Sequence, residues 1–453
     1  MVLAVMAAAC GSAADDPPYA ATLWPERPVV DLAFVVAPDL RSVTGTETVR
    51  FTPDLEVCEL VFRAWPNTPT MARTGTSLTV TDAAVDPPGD TAPASPVVEA
   101  AGAPEGTPGT LVTVPLPRCV APGTAVTARL GFRLVLGVDA DERVATSPAT
   151  GTAWFGSGHP LLAWERGRGW AREPAVPMYG ESATSEAADT TVTVTAPEGL
   201  AVLGPGTAEP TESAVHRFRA PALRDVAVAV GRFDVLERDV DGVRLRLATP
   251  RTGTRVPPAR WADALAAAMT AQTRLLGPFP YPELTVAITP GQSDGTEFPA
   301  ALQFGDVPER GLRALVAHEV AHQWFYGLVG NDQSRDPWLD ESFATAVEAL
   351  TADGDYDADD VDPALVGRLG EPMTTWAADG GFRAYVDGVY DQGAAALLAG
   401  READPEGFDR ALRAYVGRRA QGIATLADVA EAFAGQPATL DALREAGAFS
   451  GAR

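Results

Sequence analysis

The sequence predicts a two-part chain: an antiparallel β domain over residues 28–240, then a mixed α/β domain, mainly helical, over residues 241–453. Three observations carry this. From Val29 to Val230 short β-branched or alternating runs recur between Pro, Gly and Asp, the pattern of paired strands with one face inward. After Val240 the composition shifts, and Ala259–Leu276 is Ala-rich and uninterrupted, with Leu265, Met269 and Leu276 near helical spacing. Finally, two histidines and three acids that could build one site all fall in the second part. At 453 residues the chain has room for two or three domains with ample core.

Residues 1–27 are set apart as a signal remnant and tether. Met1–Ser12 is apolar but falls short of the ~20 residues that span a bilayer. Its small residues ahead of Cys10 resemble the end of a bacterial lipoprotein signal. On that reading Cys10 carries a lipid anchor to the outer face of the membrane, and the protein is extracytoplasmic, anchored or secreted. Cys58 and Cys119 then remain; they form a disulfide in an oxidising compartment or stand as two unconnected buried thiols, and both readings stay open. The formal charge of −25 argues against nucleic acid and anionic membrane as partners. All 35 basic residues are arginine, a bias that fits a GC-rich bacterial genome rather than a functional demand.

Strands are expected at Val29–Val36, Thr44–Phe51, Cys58–Ala64, Ser77–Val80, Gly109–Val114 and Ala125–Leu136. They resume at Thr190–Thr195, Ala201–Leu203, His216–Ala220 and Val226–Val230. The irregular, Gly-, Trp- and Arg-rich stretch from Trp154 to Met178 reads as a crossing between sheets. The second part opens with a strand at Val243–Ala248, the helix Ala259–Leu276 stopped by Gly277-Pro278, and a strand at Leu284–Ile288. Helices follow at Arg313–Phe325, Asp340–Leu350, Pro372–Ala378, Gln392–Leu398, Glu406–Arg418 and Leu426–Phe433, with an acidic loop at Asp353–Asp362.

The chemistry lies in His318-Glu319-Val320-Ala321-His322, followed after eighteen residues by Glu341. On a helix, residues four apart project from one face, so the two imidazoles can hold one zinc ion. Glu319, beside the first, can activate a water there. A structural zinc wants four closed ligands, usually with cysteines; His318, His322 and Glu341 leave a fourth position open. Glu348 falls two helical turns beyond Glu341 on the same face, placed to orient one histidine. Neither His159, in the loop-like Gly156-Ser157-Gly158-His159-Pro160, nor His216, in an alternating strand, reads as a ligand.

These words resemble the gluzincin aminopeptidases, the family of aminopeptidase N and leukotriene hydrolase. His318-Glu319-Val320-Ala321-His322-Gln323-Trp324-Phe325 is similar to their zinc helix. Trp338-Leu339-Asp340-Glu341-Ser342-Phe343-Ala344 is similar to their Trp-Leu-Asn-Glu-Gly-Phe-Ala word, with Asp340 and Ser342 as departures. The resemblance implies a β saddle domain followed by a thermolysin-like catalytic domain. It also implies one Zn2+ per chain on His318, His322 and Glu341, with Glu319 as general base and acid. Gly295-Thr296-Glu297-Phe298-Pro299 occupies the place of the family's Gly-x-Met-Glu-Asn strand, which implies that Glu297 holds a substrate's free α-amine and that Gly295 lies beside it. Tyr390-Asp391-Gln392-Gly393 fits the Tyr-x-Lys-Gly word, implying a phenol donor at Tyr390, with Tyr385 lining the pocket. No histidine follows His322, which excludes the thermolysin and metzincin versions of such a site.

The resulting expectation is a zinc metallopeptidase releasing N-terminal residues from peptides outside the cytoplasm. The alternatives are an endopeptidase or epoxide hydrolase on the same scaffold, or a non-catalytic, surface-anchored binding lipoprotein with a relic zinc site. About sixty residues follow Tyr390, whereas long members of the family carry a further helical domain over the site. The cleft is therefore expected to be more open.

Overall fold

Val29–Val36 alternates exposed and buried along its whole length, the period of two that lays Val30, Leu32, Phe34 and Val36 against a core. This and the rest of the fold come from a computed structural model that describes residues 19, 26–86, 92–178, 184–352, 354, 356 and 361–450. Cys10 and most of the acidic loop at Asp353–Asp362 lie outside the described residues.

The first half is built from several sheets rather than one. The largest has eight strands in the order Thr207–Glu209, Val215–Leu223, Ala188–Thr195, Val29–Val36, Ser42–Phe51, Val126–Val135, Ser77–Asp86 and Ala92–Ala94. Its pairs are antiparallel except one: Val29–Val36 runs parallel to Ala188–Thr195, from Val29 opposite Asp189 to Val35 opposite Thr195. The expected wholly antiparallel domain is corrected there. Strands so far apart in sequence meet only after the chain has laid down the other sheets, and local alternation carries no signal of that direction. A five-stranded sheet (Thr152–Gly156 among its strands) packs across the first; Phe34 meets Phe132 and Phe155 edge-on, with centroids 6.0 and 5.2 Å away. In a four-stranded sheet Val57–Arg63 pairs with Leu111–Val120, and there Cys58 and Cys119 are joined as a disulfide.

The second half has its own five-stranded sheet, ordered Phe233–Val240, Val243–Pro250, Glu283–Ile288, Ala301–Phe304 and Gly295–Phe298. The change of sheet thus falls before Phe233, ahead of the composition shift after Val240. Glu283–Ile288 is buried at every residue because it lies parallel between two neighbours, as strands covered on both faces do. Gly295–Phe298 is the edge strand, antiparallel to Ala301–Phe304 with Glu297 opposite Leu302. The helix Pro258–Leu276 begins with Pro at its first position and ends at Gly277, whose φ of 114° stops it. Its Gln272 donates to the Ala317 carbonyl at 2.6 Å, bolting it to the histidine-bearing helix.

That histidine helix spans Leu312–Ala321, shorter than the expected run to Phe325, because the chain turns sharply at Tyr326, a non-glycine residue with φ 88°. Leu312, Val316 and Val320 bury one stripe of it, each burial being worth roughly 1.5–3 kcal/mol. The next helix, Trp338–Ala352, is buried through nearly all its length. Helices at Pro437–Glu445 and Gly381–Tyr385, and a π-helical segment at Val386–Asp391, were not among the expected elements. Among the described residues no helix is long and apolar enough to cross a membrane.

The disulfide closes a loop with a sequence separation of 61, so removing it should enlarge the unfolded ensemble. The double substitution Cys58→Ala, Cys119→Ala should lower stability by about 2–4 kcal/mol, read as a drop in the urea midpoint with the secondary structure unchanged.

Candidate metal centre and active site

Two elements meet at one point. The histidine helix presents His318 and His322, and the helix Trp338–Ala352 presents Glu341. The two Nε2 atoms lie 3.0 Å apart, and Glu341 Oε2 stands 3.4 Å from His318 Nε2 and 3.3 Å from His322 Nε2. The opposite ring nitrogens are fixed by acids: His322 Nδ1 lies 2.7 Å from Asp340 Oδ1, and His318 Nδ1 lies 3.3 Å from Glu348 Oε2. With a proton on each Nδ1, both Nε2 lone pairs point at one another and at a carboxylate oxygen. Glu341 Oε2 is itself buried without a hydrogen-bond partner. Three electron-pair donors converging without a proton to share are mutually repulsive unless a cation sits among them. The donor set, two imidazoles and a carboxylate, suits zinc with one position left open. Glu297, His322 and Asp340 also come within 4.8 Å of one another. Asp340 is already engaged by His322 Nδ1 and by Gln333, so it serves as the acceptor behind the ligand, while Glu297 lies at the edge of the centre.

Glu319 projects into the same open cleft as His318, His322, Glu341, Glu297, Gly295, Glu348 and Tyr390. Burial, then the nearby Glu297 and Asp294 carboxylates, push its pKa up to about 8 against the opposing charges of the histidines. Gly295 faces it directly: a Cβ there would come 2.5 Å from the Glu319 carboxyl carbon. The edge strand can approach Glu319 only because this residue has no side chain. Gln323 holds the strand in place, accepting from the Ala300 amide at 2.9 Å and donating to the Phe298 carbonyl at 3.1 Å.

Tyr390 lies on the π-helical segment, its ring parallel to that of His318 within 7° at a centroid distance of 5.6 Å. Burial, with Glu341 and Tyr385 beside it, raises its pKa well above the usual phenol value, so it remains a donor. Ser342 ties this segment to the ligand helix through a 2.6 Å bond to the Val389 carbonyl, and a Cβ on Gly393 would come 1.9 Å from the Ser342 Oγ. Gln392 caps the arrangement, donating to Gly388 at 2.9 Å and accepting from Gly367 at 2.9 Å. Tyr385 does not line the cleft as expected; it is 1% exposed and packs edge-on behind Tyr390 at 5.5 Å. The expected metal and catalytic residues are therefore brought together, and Tyr385 supports them from behind.

Several functional neighbours escaped the sequence reading. Asp340 had a signal, a second acid beside Glu341 at a buried helix start. Gln323 and Ser342 had none beyond their place in the motifs. Arg143, from the first half, lines the same cleft as Glu297, with its guanidinium 5.2 Å from the Trp65 ring centre and 5.8 Å from that of Phe298. Nothing local in Glu142-Arg143-Val144 marks it.

Comparison with known proteins agrees with this geometry. Residues 306–376 match the Peptidase family M1 domain. Over 142 residues the chain is 31% identical to Aminopeptidase M1-A of Oryza sativa subsp. japonica, covering 28% of this chain and 16% of that protein. Over 39 residues it is 59% identical to Aminopeptidase N of Oryctolagus cuniculus, covering 9% of this chain and 4% of that protein. The matched segments thus span a small part of those relatives. The fold is similar to that of an M1 zinc metallopeptidase from Deinococcus radiodurans, with a TM-score of 0.62 and 19% identity over 93% of each chain. It is likewise similar to a mutant of that enzyme bound to a Tyr-Ser-Ala substrate, at a TM-score of 0.62 and 18% identity over 93% of this chain and 94% of that one. The fold is that of the M1 zinc metallopeptidases, and the cluster of His318, His322 and Glu341 lies within the matched segment. Residues 306–376 carry the family resemblance, and the chain as a whole shares the fold of the M1 zinc metallopeptidases.

Removing a ligand and crowding the catalytic acid should separate cleanly. Glu341→Gln should lose zinc on dialysis. Gly295→Ala should keep its zinc while hydrolytic turnover falls on the order of a hundredfold, as displacement of a reacting group by about 1 Å does. Metal analysis beside a peptidase assay checks both.

Proposed function

We propose that the protein is a zinc-dependent aminopeptidase that binds one zinc ion per chain and releases N-terminal residues from peptides outside the cytoplasm. In this reading the first half is the saddle domain and the second a thermolysin-like catalytic domain. The observation that carries it is the position of Glu297: a carboxylate on an edge strand, beside the metal centre and in the same cleft as Glu319 and Tyr390. An ammonium held there would set the first peptide carbonyl against the metal ligands.

Zinc at His318, His322 and Glu341 supplies a Lewis acid that polarises the scissile carbonyl and acidifies water. Glu297 pairs with the substrate's ammonium and fixes how far the chain enters. Glu319, whose Oε2 is buried without a protein partner, takes the proton of the attacking water and returns it to the leaving amine. Tyr390 donates its phenol proton as a hydrogen bond to the oxyanion. Asp340 and Glu348 hold the two imidazoles in the tautomer that turns Nε2 inward. The cleft is negative as a whole: Asp294 is pushed up to about 6, first by burial and then by Asp141 and Glu297, and such a field draws in a cationic N-terminus. Two further features support the reading. The disulfide between Cys58 and Cys119 suits an oxidising compartment, and the structure of the related enzyme with a Tyr-Ser-Ala substrate fits a peptide in such a cleft.

The test compares free and N-acetylated forms of one peptide on wild type, Glu297→Gln and Glu319→Gln. Free peptide should be cleaved and the acetylated one spared. Glu297→Gln should narrow that preference by at least about tenfold, since a charge-assisted bond is worth roughly 1.5–3 kcal/mol. Glu319→Gln should hold zinc and lose turnover. Equal cleavage of both peptides by wild type would make the protein an endopeptidase instead.

A further inference from the structure

Tyr326 has the left-handed backbone that a bulky residue rarely adopts, with φ 88°. A glycine stands immediately after it and would have met the turn without strain one position earlier. The side chain therefore has a use. It is 7% exposed, and its hydroxyl donates to Asp225 Oδ2 at 3.2 Å. Asp225 belongs to the first half, between the strands Val215–Leu223 and Ala227–Gly231, and is itself held there. It accepts from Ser157 Oγ and from the Val226 amide at 2.6 Å, with His159 Nε2 at 3.9 Å. The adjoining Arg224, also buried, grips the same turn, donating to the Gly327 carbonyl at 3.2 Å and the Leu328 carbonyl at 3.5 Å, and to Gly422 beyond it at 3.0 Å.

The other end of the turn reaches a metal ligand. The Phe325 carbonyl, in the peptide joined to Tyr326, lies 3.2 Å from His322 Nδ1, and the Gly327 amide donates to the His322 carbonyl at 2.8 Å. We propose that the Tyr326–Asp225 hydrogen bond is a clamp by which the β half of the chain sets the orientation of His322, making Tyr326 a positioning residue for zinc. The strained turn transmits the hold: moving the Tyr326 side chain rotates the peptide whose carbonyl faces His322 Nδ1. Asp340 fixes that nitrogen from one side, and the clamp fixes it from the other. This inference rests on zinc occupying the site proposed above.

The experiment uses the full chain as wild type, Tyr326→Phe and Tyr326→Gly. Zinc affinity is measured by competition with a chromophoric chelator, and thermal midpoints are recorded with and without zinc. Tyr326→Phe should bind zinc about tenfold more weakly, the size of effect seen when a partner of a metal ligand is lost. Its zinc-free midpoint should stay near wild type while the rise on adding zinc shrinks. Tyr326→Gly relieves the strain but has no hydroxyl, and should bind zinc no more tightly than Tyr326→Phe. Wild-type zinc affinity in either variant would overturn the clamp. So would an equal fall of the zinc-free and zinc-loaded midpoints, which is what a merely structural contact predicts. A wild-type protein that binds no zinc would bring down the metal reading, and the clamp with it.

Discussion

Two imidazole lone pairs and one carboxylate oxygen are held within 3.0 to 3.4 Å of each other. With neutral imidazoles whose Nδ1 protons go to Asp340 and Glu348, all three are electron-pair donors that repel one another unless a cation sits among them. Most of the surrounding structure serves to keep this unfavourable convergence in place. The histidine helix is bolted to its neighbour by Gln272, to the edge strand by Gln323 and to the turn that follows by the carbonyl of Phe325. The ligand helix is fixed to the tyrosine segment by Ser342. A site so preorganised gains its cation's full attraction without reorganising.

The same constraint explains the placing of the groups to which the proposed reaction assigns roles. Glu319 shares a helix with the ligands, so its distance from the metal is fixed by helical geometry. Glu297 arrives from a different element and needs Gly295 to come close. Tyr390 arrives from a third, on a π-helical segment, with its ring lying flat against His318. The β half is not a passenger in this. It sends Arg143 into the cleft and Asp225 to the turn behind His322.

What could be read from the sequence was whatever depends on near neighbours in the chain. Alternation gave Val29–Val36 and Ala201–Leu203 to the residue. The four-residue histidine spacing and the acids at 319 and 341 pointed to residues that the structure brings into one cluster. Glu348 followed from counting turns. What could not be read depends on distant pairing or on one unusual dihedral. The parallel partnership of Val29–Val36 with Ala188–Thr195 leaves no local trace. The early end of the histidine helix follows from the backbone of Tyr326, a residue whose type predicts the opposite. Tyr385 was expected on the cleft wall because it is near Tyr390 in sequence, yet it is buried and packs behind Tyr390. Cys58 and Cys119 became a pair only once their strands were seen side by side.

The central claim is that His318, His322 and Glu341 converge on a single zinc ion with one position open. It is tested most directly by an anomalous-scattering map of zinc-loaded crystals. The account predicts one peak per chain, about 2.0–2.2 Å from the two Nε2 atoms and a Glu341 oxygen, with Asp340 and Glu348 one bond further out. A peak ligated by Asp340 or Glu297 in place of Glu341, or no peak between the histidines, would contradict it.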